Sequence, residues 1–193
     1  HFISTISAIQ ALFGRPIIVK NAWNCFRIDS LQRLLPNARF VWLRRDIYFA
    51  AVSDLNARYV TKGSPKAWNS ATPADYHKLQ SSPYWEQVVE NQYSYNIAID
   101  ESLSELPSEQ TYMLWYEDLV TEPGNVLRNV TARFNLDHHR RKNQSQQIEV
   151  PLPAIDQKLL SEQDKSLVSA YIESNINRFG PHRYAMEKNA AYR

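Results

Sequence analysis

Short apolar runs that alternate with amphipathic helical stretches constrain the fold of this sequence more than any other feature. The runs lie at 17–19, 38–43 and 111–115, and polar or charged residues follow each of them. A run that is apolar at most positions predicts a strand buried on both faces, and such strands form parallel sheets covered by helices. We therefore predict an α/β fold of three layers, with a central, mostly parallel sheet flanked by helices.

The helices are predicted from the spacing of apolar residues and from the signals that start and stop a helix. Proline suits a first turn, so Glu122-Pro123 favours a helix start, and the residues from Ser161 to Asp164 resemble a capping box. In chain order we predict helices at 2–13, 24–35, 47–59 and 84–99, one that opens at Glu122, and a last one from Ser161 to the stop signal Gly180-Pro181.

Length and charge bound the class of protein. The 193 residues predict a single domain over residues 1–193. The 22 basic and 20 acidic residues give a net charge of +2, which argues against a nucleic-acid partner. No window approaches about 18 consecutive apolar residues, and the first residues lack a basic region. We therefore expect neither a membrane span nor a signal peptide in this chain.

The lone cysteine, Cys25, excludes an internal disulfide and a cysteine-rich metal site. No set of His, Cys, Asp and Glu residues has the spacing of metal ligands, so we expect no metal. A single cysteine favours a reducing compartment, and we expect a cytoplasmic location. The glycosylation sequons at Asn129 and Asn143 leave a secretory lumen as the alternative.

Cations at the ends of the apolar runs predict an anion site. The four glycines of the chain form neither a GxGxxG nor a GxxxxGK[ST] loop. Lys20 follows the first run, and Arg45 follows the second run and precedes a helix that contains Ser53. Ligands of parallel sheets bind at the carboxyl ends of the strands, where free backbone N–H groups and an arginine favour a phosphate. From the residues alone, solvated strand ends are an equally open interpretation, and for Arg44 the favoured one.

Two longer segments carry a family resemblance. Residues 35–46 read LPNARFVWLRRD and are followed by Ser53, and residues 113–123 read MLWYEDLVTEP. In this order the two segments resemble the sulfotransferase superfamily, whose donor is 3′-phosphoadenosine 5′-phosphosulfate. The first segment and the tail at 139–150 and 178–184 are most similar to the tyrosylprotein and carbohydrate sulfotransferase branch.

This resemblance implies a P-loop-NTPase-like sulfotransferase fold and an enzyme that moves a sulfuryl group from the donor to a hydroxyl of a small molecule, glycan or peptide. Arg45 and Ser53, eight residues apart, match the family's pair that binds the 3′-phosphate. Lys20 matches a catalytic lysine that stabilises the leaving group, and Ser145 lies in a late loop that returns to the cofactor. The resemblance implies no metal, and a eukaryotic carbohydrate or tyrosine enzyme would lie in the Golgi lumen.

The sequence also departs from the family pattern. Nothing before Gly14 matches the Ser/Thr/Gly/Arg-rich loop that grips the 5′-phosphosulfate, so we expect the first strand and this loop to be missing from the chain. Asn21-Ala22-Trp23 replaces the residues that follow the lysine in relatives, and no general base is identified. A catalytically inactive binding or interaction module of the same fold is therefore the alternative. A nucleoside kinase-like phosphotransferase is disfavoured because a Walker lysine is not apparent.

Residues 60–83 have no apolar period and contain single aromatics. Loops of this length are usually functional or disordered, and we predict a mobile cover over the acceptor side of the site. Trp68 and Tyr76 either line an acceptor pocket or pack the loop down, and the sequence favours neither. Glu117 is expected to pair with a basic side chain in a structural role.

Overall fold

The computed structural model describes residues 1–136 and 160–179. The described residues divide into two compact units. We call residues 1–44 with 98–136 the sheet unit and residues 45–97 with 160–179 the helical unit.

The elements follow the predicted alternation of strands and helices. Short 3₁₀ turns lie at Ala22–Phe26 and Ser108–Gln110. The strands and α-helices are α1 Phe2–Phe13, α2 Ile28–Leu34, β1 Phe40–Arg44, α3 Ile47–Lys62, α4 Tyr76–Leu79, α5 Tyr84–Ser104, β2 Thr111–Trp115, α6 Tyr116–Thr121, α7 Pro123–Arg133 and α8 Glu162–Ser174.

The sheet of the sheet unit consists of β1 and β2. They pair in parallel, in a register that runs from Phe40 opposite Thr111 to Arg44 opposite Trp115. A parallel pair requires a long crossover between its strands, and the chain from α3 to α5 provides it. Helices α6 and α7 pack beside β2. The predicted α/β fold with a parallel sheet flanked by helices is confirmed.

The predicted strand at 17–19, the first of the three in chain order, is wrong. Residues 15–20 form neither a helix nor a strand, and Ile18 is 93% exposed. An apolar run becomes a strand only when a neighbouring strand pairs with its backbone N–H and C=O groups. Within the described residues β1 and β2 pair only with each other, so the run at 17–19 has no such neighbour.

The core of the helical unit lies between α3, α5 and α8. Ala51 and Leu55 lie four residues apart on one face of α3 and are completely buried. Val88 of α5 and Val168 of α8 are completely buried as well. Burying each side chain of the size of valine or leucine stabilises a fold by about 1.5–3 kcal/mol. The apolar periods that predicted these helices therefore correspond to a real packed core.

The predicted capping box at Ser161 is confirmed. The Ser161 Oγ accepts a hydrogen bond from the Asp164 backbone N–H at 3.0 Å, and the Asp164 carboxylate accepts one from the Ser161 N–H at 3.1 Å. Asp164 also accepts hydrogen bonds from the Tyr84 and Tyr59 hydroxyls, at 2.6 and 3.3 Å. Burial alone would raise the pKa of Asp164, but the hydrogen bonds from Tyr84 and Ser161 outweigh it and lower that pKa.

A buried arginine connects α3 to the segment that follows it. Arg58 is 0% exposed, and its Nη1 donates to the Pro65 carbonyl at 3.1 Å and to the Gln87 Oε1 at 2.8 Å. The Trp68 ring stacks 4.7 Å from the guanidinium carbon. Burial lowers the pKa of Arg58, and the neighbouring Asp54 carboxylate opposes that shift.

Further side chains of α5 hold the same segment. The Tyr95 hydroxyl donates to the Ala71 carbonyl at 2.7 Å, and the Gln87 amide donates to the Ser82 carbonyl at 2.8 Å. Ala71 and Leu79 are buried. The segment predicted as a mobile cover therefore contains helix α4 and is attached to α3 and α5 at several points. Trp68 packs between Arg58 and Tyr76, which favours the interpretation that the aromatics hold the segment down.

We expect Arg58→Met to destabilise the helical unit by about 3 kcal/mol, because it leaves the buried Asp54 carboxylate and two acceptors without their cation. Urea unfolding followed by circular dichroism measures this loss. Lys62→Met, on the exposed last turn of the same helix, is the matched control and should change stability by less than about 0.5 kcal/mol. A loss below about 1 kcal/mol for Arg58→Met would contradict the role of Arg58 as an anchor.

Candidate active site at the strand ends

Lys20 lies in the extended stretch that follows α1 in the sheet unit, and it is exposed. The next residue, Asn21, caps the 3₁₀ turn at Ala22–Phe26, because its side-chain oxygen accepts a hydrogen bond from the Trp23 N–H at 3.0 Å. The three residues that replace the family pattern after the lysine therefore form a defined turn. This turn fixes the direction in which the chain leaves Lys20.

Arg44, the last residue of β1, is not a solvated strand end. Its guanidinium carbon lies 5.1 Å from the Trp42 ring centre and 4.9 Å from that of Trp115. The parallel register explains the arrangement, because Trp115 is the partner of Arg44 and Trp42 lies two residues back on the same face. Burial lowers the pKa of Arg44, and Asp100 opposes the shift. The expectation that Arg44 is a solvated residue is therefore wrong, because its guanidinium packs against two indole rings.

Arg45 opens the helical unit, at the turn that leads into α3. The next residue, Asp46, is buried and caps the helix, since its carboxylate accepts a hydrogen bond from the Tyr48 N–H at 2.9 Å. Ser53 lies in the second turn of α3 and is half-buried. The strand–turn–helix arrangement inferred from the sequence is therefore present, with Arg45 at the turn and Ser53 on the helix.

The second motif forms the turn after β2. Tyr116–Thr121 is the short helix α6, and Glu117 in its first turn is buried. Pro123 occupies the first position of α7, as its fixed backbone angle favours. The motif therefore forms the helix that begins directly after β2. The burial of Glu117 agrees with a structural role.

The structure does not describe every residue singled out from the sequence. Lys20 lies in the sheet unit, whereas Arg45 and Ser53 lie in the helical unit. Ser145 lies outside the described residues, as do His138, His139 and His182. His77 lies in α4, with its ring 5.4 Å from that of Tyr76.

Sequence reasoning missed the polar pair Asp54 and Arg58 on α3. Both are buried, at 7% and 0% exposure, and they lie four residues apart beside the apolar stripe of Val52 and Leu55. An acid and an arginine at this spacing are usually a solvated surface pair. The signal that could have found them is their position on the buried side of an otherwise regular apolar period.

Within residues 1–136 and 160–179, no group of His, Cys, Asp and Glu side chains is arranged to hold a metal ion. In the same part of the chain, no helix combines the length and the apolar character that crossing a membrane requires.

Comparison with known proteins identifies the family. The model of the sulfotransferase family matches residues 2–140, which include β1, α3, β2 and α7. No curated protein and no solved structure matches the chain. Because the family model covers well over half of the sequence, the chain belongs to the sulfotransferase family.

Arg44→Ala should destabilise the sheet unit by about 1–2 kcal/mol, because it removes a partly desolvated cation from between two indole rings. Denaturant unfolding measures the effect. Arg39→Ala is the control: this arginine is exposed just before the same strand, and its loss should be close to neutral. Equal effects of the two substitutions would show that the indole contacts of Arg44 contribute nothing.

Proposed function

We propose that this protein is a sulfotransferase that moves a sulfuryl group from 3′-phosphoadenosine 5′-phosphosulfate to a hydroxyl acceptor. The observation that carries the proposal is the continuous arrangement of β1, Arg45, the Asp46 cap and Ser53 on α3, within the matched region of the family model. Membership of the family supports the transferase reaction, and the arrangement supports a nucleotide with an extra phosphate.

Arg45 and Ser53 are proposed to bind the 3′-phosphate. The N–H groups of the first turn of α3 point towards its N-terminal end and favour an anion, although the Tyr48 N–H is already bonded to Asp46. Arg45 at this turn can donate two parallel hydrogen bonds to phosphate oxygens, and the Ser53 hydroxyl can add a third. Ser145 is proposed to contribute a further contact from the late loop.

Lys20 is proposed to stabilise the leaving group. In an in-line sulfuryl transfer, by analogy with phosphoryl transfer, negative charge develops on the oxygen that bridges sulfur and phosphorus. A cation near that oxygen lowers the barrier, because it interacts more strongly with the transition state than with the ground state. The acceptor hydroxyl loses its proton in the same reaction, and we assign no residue to that step.

The acceptor is proposed to be a hydroxyl of a small molecule, a glycan or a peptide. Because of the LPNARFVWLRRD segment, we propose that the protein belongs to the tyrosylprotein and carbohydrate branch of the superfamily. The lone cysteine favours a cytoplasmic location, and a Golgi lumen is the alternative for a eukaryotic enzyme of that branch.

Arg45→Ala should weaken binding of adenosine 3′,5′-bisphosphate by about 2–3 kcal/mol, because a charge-assisted pair of hydrogen bonds is lost. Affinity for adenosine 5′-monophosphate should change little, since that nucleotide has no 3′-phosphate. Calorimetry with both nucleotides is the test, and Arg44→Ala is the matched control one residue away. If the unsubstituted protein binds the two nucleotides equally well, the 3′-phosphate assignment is wrong.

Lys20→Ala should lower turnover by a factor of about 10²–10³, the usual effect of removing one donor that stabilises transition-state charge. Affinity for the bisphosphate product should stay nearly unchanged. Steady-state rates at saturating donor, together with product binding by calorimetry, separate the two quantities. Loss of nucleotide binding with normal turnover at saturation would make Lys20 an anchor and would contradict the catalytic assignment.

A further inference from the structure

Asp54, the residue directly after Ser53, has three polar partners for its carboxylate. Its carboxylate accepts a hydrogen bond from the Ser70 hydroxyl at 2.5 Å and one from the Asn91 amide at 3.5 Å. The Arg58 Nη2 lies 3.9 Å from the same carboxylate. These partners come from three places: α3 itself, the segment after α3, and α5.

The partners of Asp54 are themselves fixed. Asn91 is 0% exposed, and its amide also donates to the Tyr95 hydroxyl at 2.9 Å, which in turn donates to the Ala71 carbonyl. Arg58 donates to the Pro65 carbonyl and stacks on Trp68. Residues 65–71 are therefore connected to α3 through the buried groups around Asp54 and Arg58, and α5 is the frame that both share.

Packing alone does not account for an acid at this position. A buried carboxylate is costly to desolvate, and a well-packed apolar side chain of similar volume often gives equal or greater stability. A carboxylate that accepts hydrogen bonds from fixed donors has one allowed direction, however. Adjacent side chains on a helix point about 100° apart. The packing of Ala51 and Leu55 sets the rotation of α3. The hydrogen bonds to Asp54 add a second constraint on that rotation and so on the direction of Ser53.

We propose that Asp54 is a positioning residue that couples residues 65–71 to the nucleotide site through Ser53. The proposal rests on the proposed function, in which Ser53 binds the 3′-phosphate. When residues 65–71 are in place, Ser70 and Arg58 hold Asp54, and α3 presents Ser53 in its binding direction. Coupling between two sites is reciprocal, so the bound nucleotide must also stabilise residues 65–71.

The test is the affinity for adenosine 3′,5′-bisphosphate after substitution at Ser70, which is outside the proposed phosphate contacts. Ser70→Ala removes the hydrogen bond to Asp54 and should weaken binding by about 5- to 20-fold, in the range of typical coupling between sites. Ser70→Thr keeps the hydroxyl and should restore affinity to within about twofold. Asp54→Asn, which keeps the shape of the side chain but loses its charge, should weaken binding in the same way as Ser70→Ala.

A stability control separates positioning from general destabilisation. Tyr171→Phe removes the hydroxyl that donates to Glu90 at 2.6 Å, in the same helical unit. It should lower the unfolding free energy by an amount similar to that for Ser70→Ala but leave the bisphosphate affinity unchanged. Equal losses of affinity in the two variants would mean that only stability matters, and would overturn the proposal.

Hydrogen exchange provides the reciprocal measurement. Bisphosphate should slow amide exchange in residues 65–71 of the unsubstituted protein and should not do so in Ser70→Ala at a saturating concentration. The proposed function fails if the unsubstituted protein does not bind the bisphosphate or if Ser53→Ala leaves its affinity unchanged, and the coupling then fails with it. If Ser53→Ala weakens binding and Ser70→Ala does not, only the coupling is wrong.

Discussion

The burial of the Arg58 guanidinium is the constraint on which the helical unit depends. A guanidinium removed from water must find acceptors and a counter-charge inside the protein, and each missing partner costs several kcal/mol. Here the acceptors are the Pro65 carbonyl and the Gln87 amide oxygen, and the counter-charge is Asp54. The helices α3 and α5 and the segment between them therefore supply the acceptors for Nη1 and the counter-charge of this arginine, while its Nε and Nη2 make no hydrogen bond within the described residues.

In the sheet unit, the cation at the end of β1, Arg44, packs against two aromatic rings. Arg44 is placed between two indole rings by the register of β1 and β2, so its charge faces aromatic surfaces and the nearby Asp100 carboxylate. The next residue, Arg45, belongs to the turn that Asp46 caps. Two adjacent arginines thus differ in their surroundings because the chain changes from strand to helix between them. This division explains why the position of Arg45, and not its charge alone, supports the proposed phosphate site.

The sequence predicted those features that depend on local pattern. Apolar periods predicted α3, α5 and α8, and the residues at Ser161 predicted the capping box, because these signals depend on neighbours within a few positions. The run at 17–19 failed as a strand, since strand formation depends on a partner distant in sequence. The attachment of residues 65–71 was missed because its partners on α3 and α5 are distant in sequence, and because two of its contacts are backbone carbonyls, which every residue type carries. The Arg45–Ser53 spacing could be read from the sequence. The burial of Asp54 was missed although Asp54 lies on the buried side of the apolar period, because a polar residue in a helix is exposed far more often than buried.

The attachment of residues 65–82 to their neighbours has a consequence for evolution of the protein. The Arg58, Tyr95 and Gln87 side chains donate to backbone carbonyls at positions 65, 71 and 82. A carbonyl group is present whatever side chain occupies a position, so substitutions at 65 and 82 would leave these bonds intact. One inserted or deleted residue, however, would move the later carbonyls out of register with their donors on α3 and α5. At positions 65 and 82 the length of the segment is therefore more constrained than the residue type.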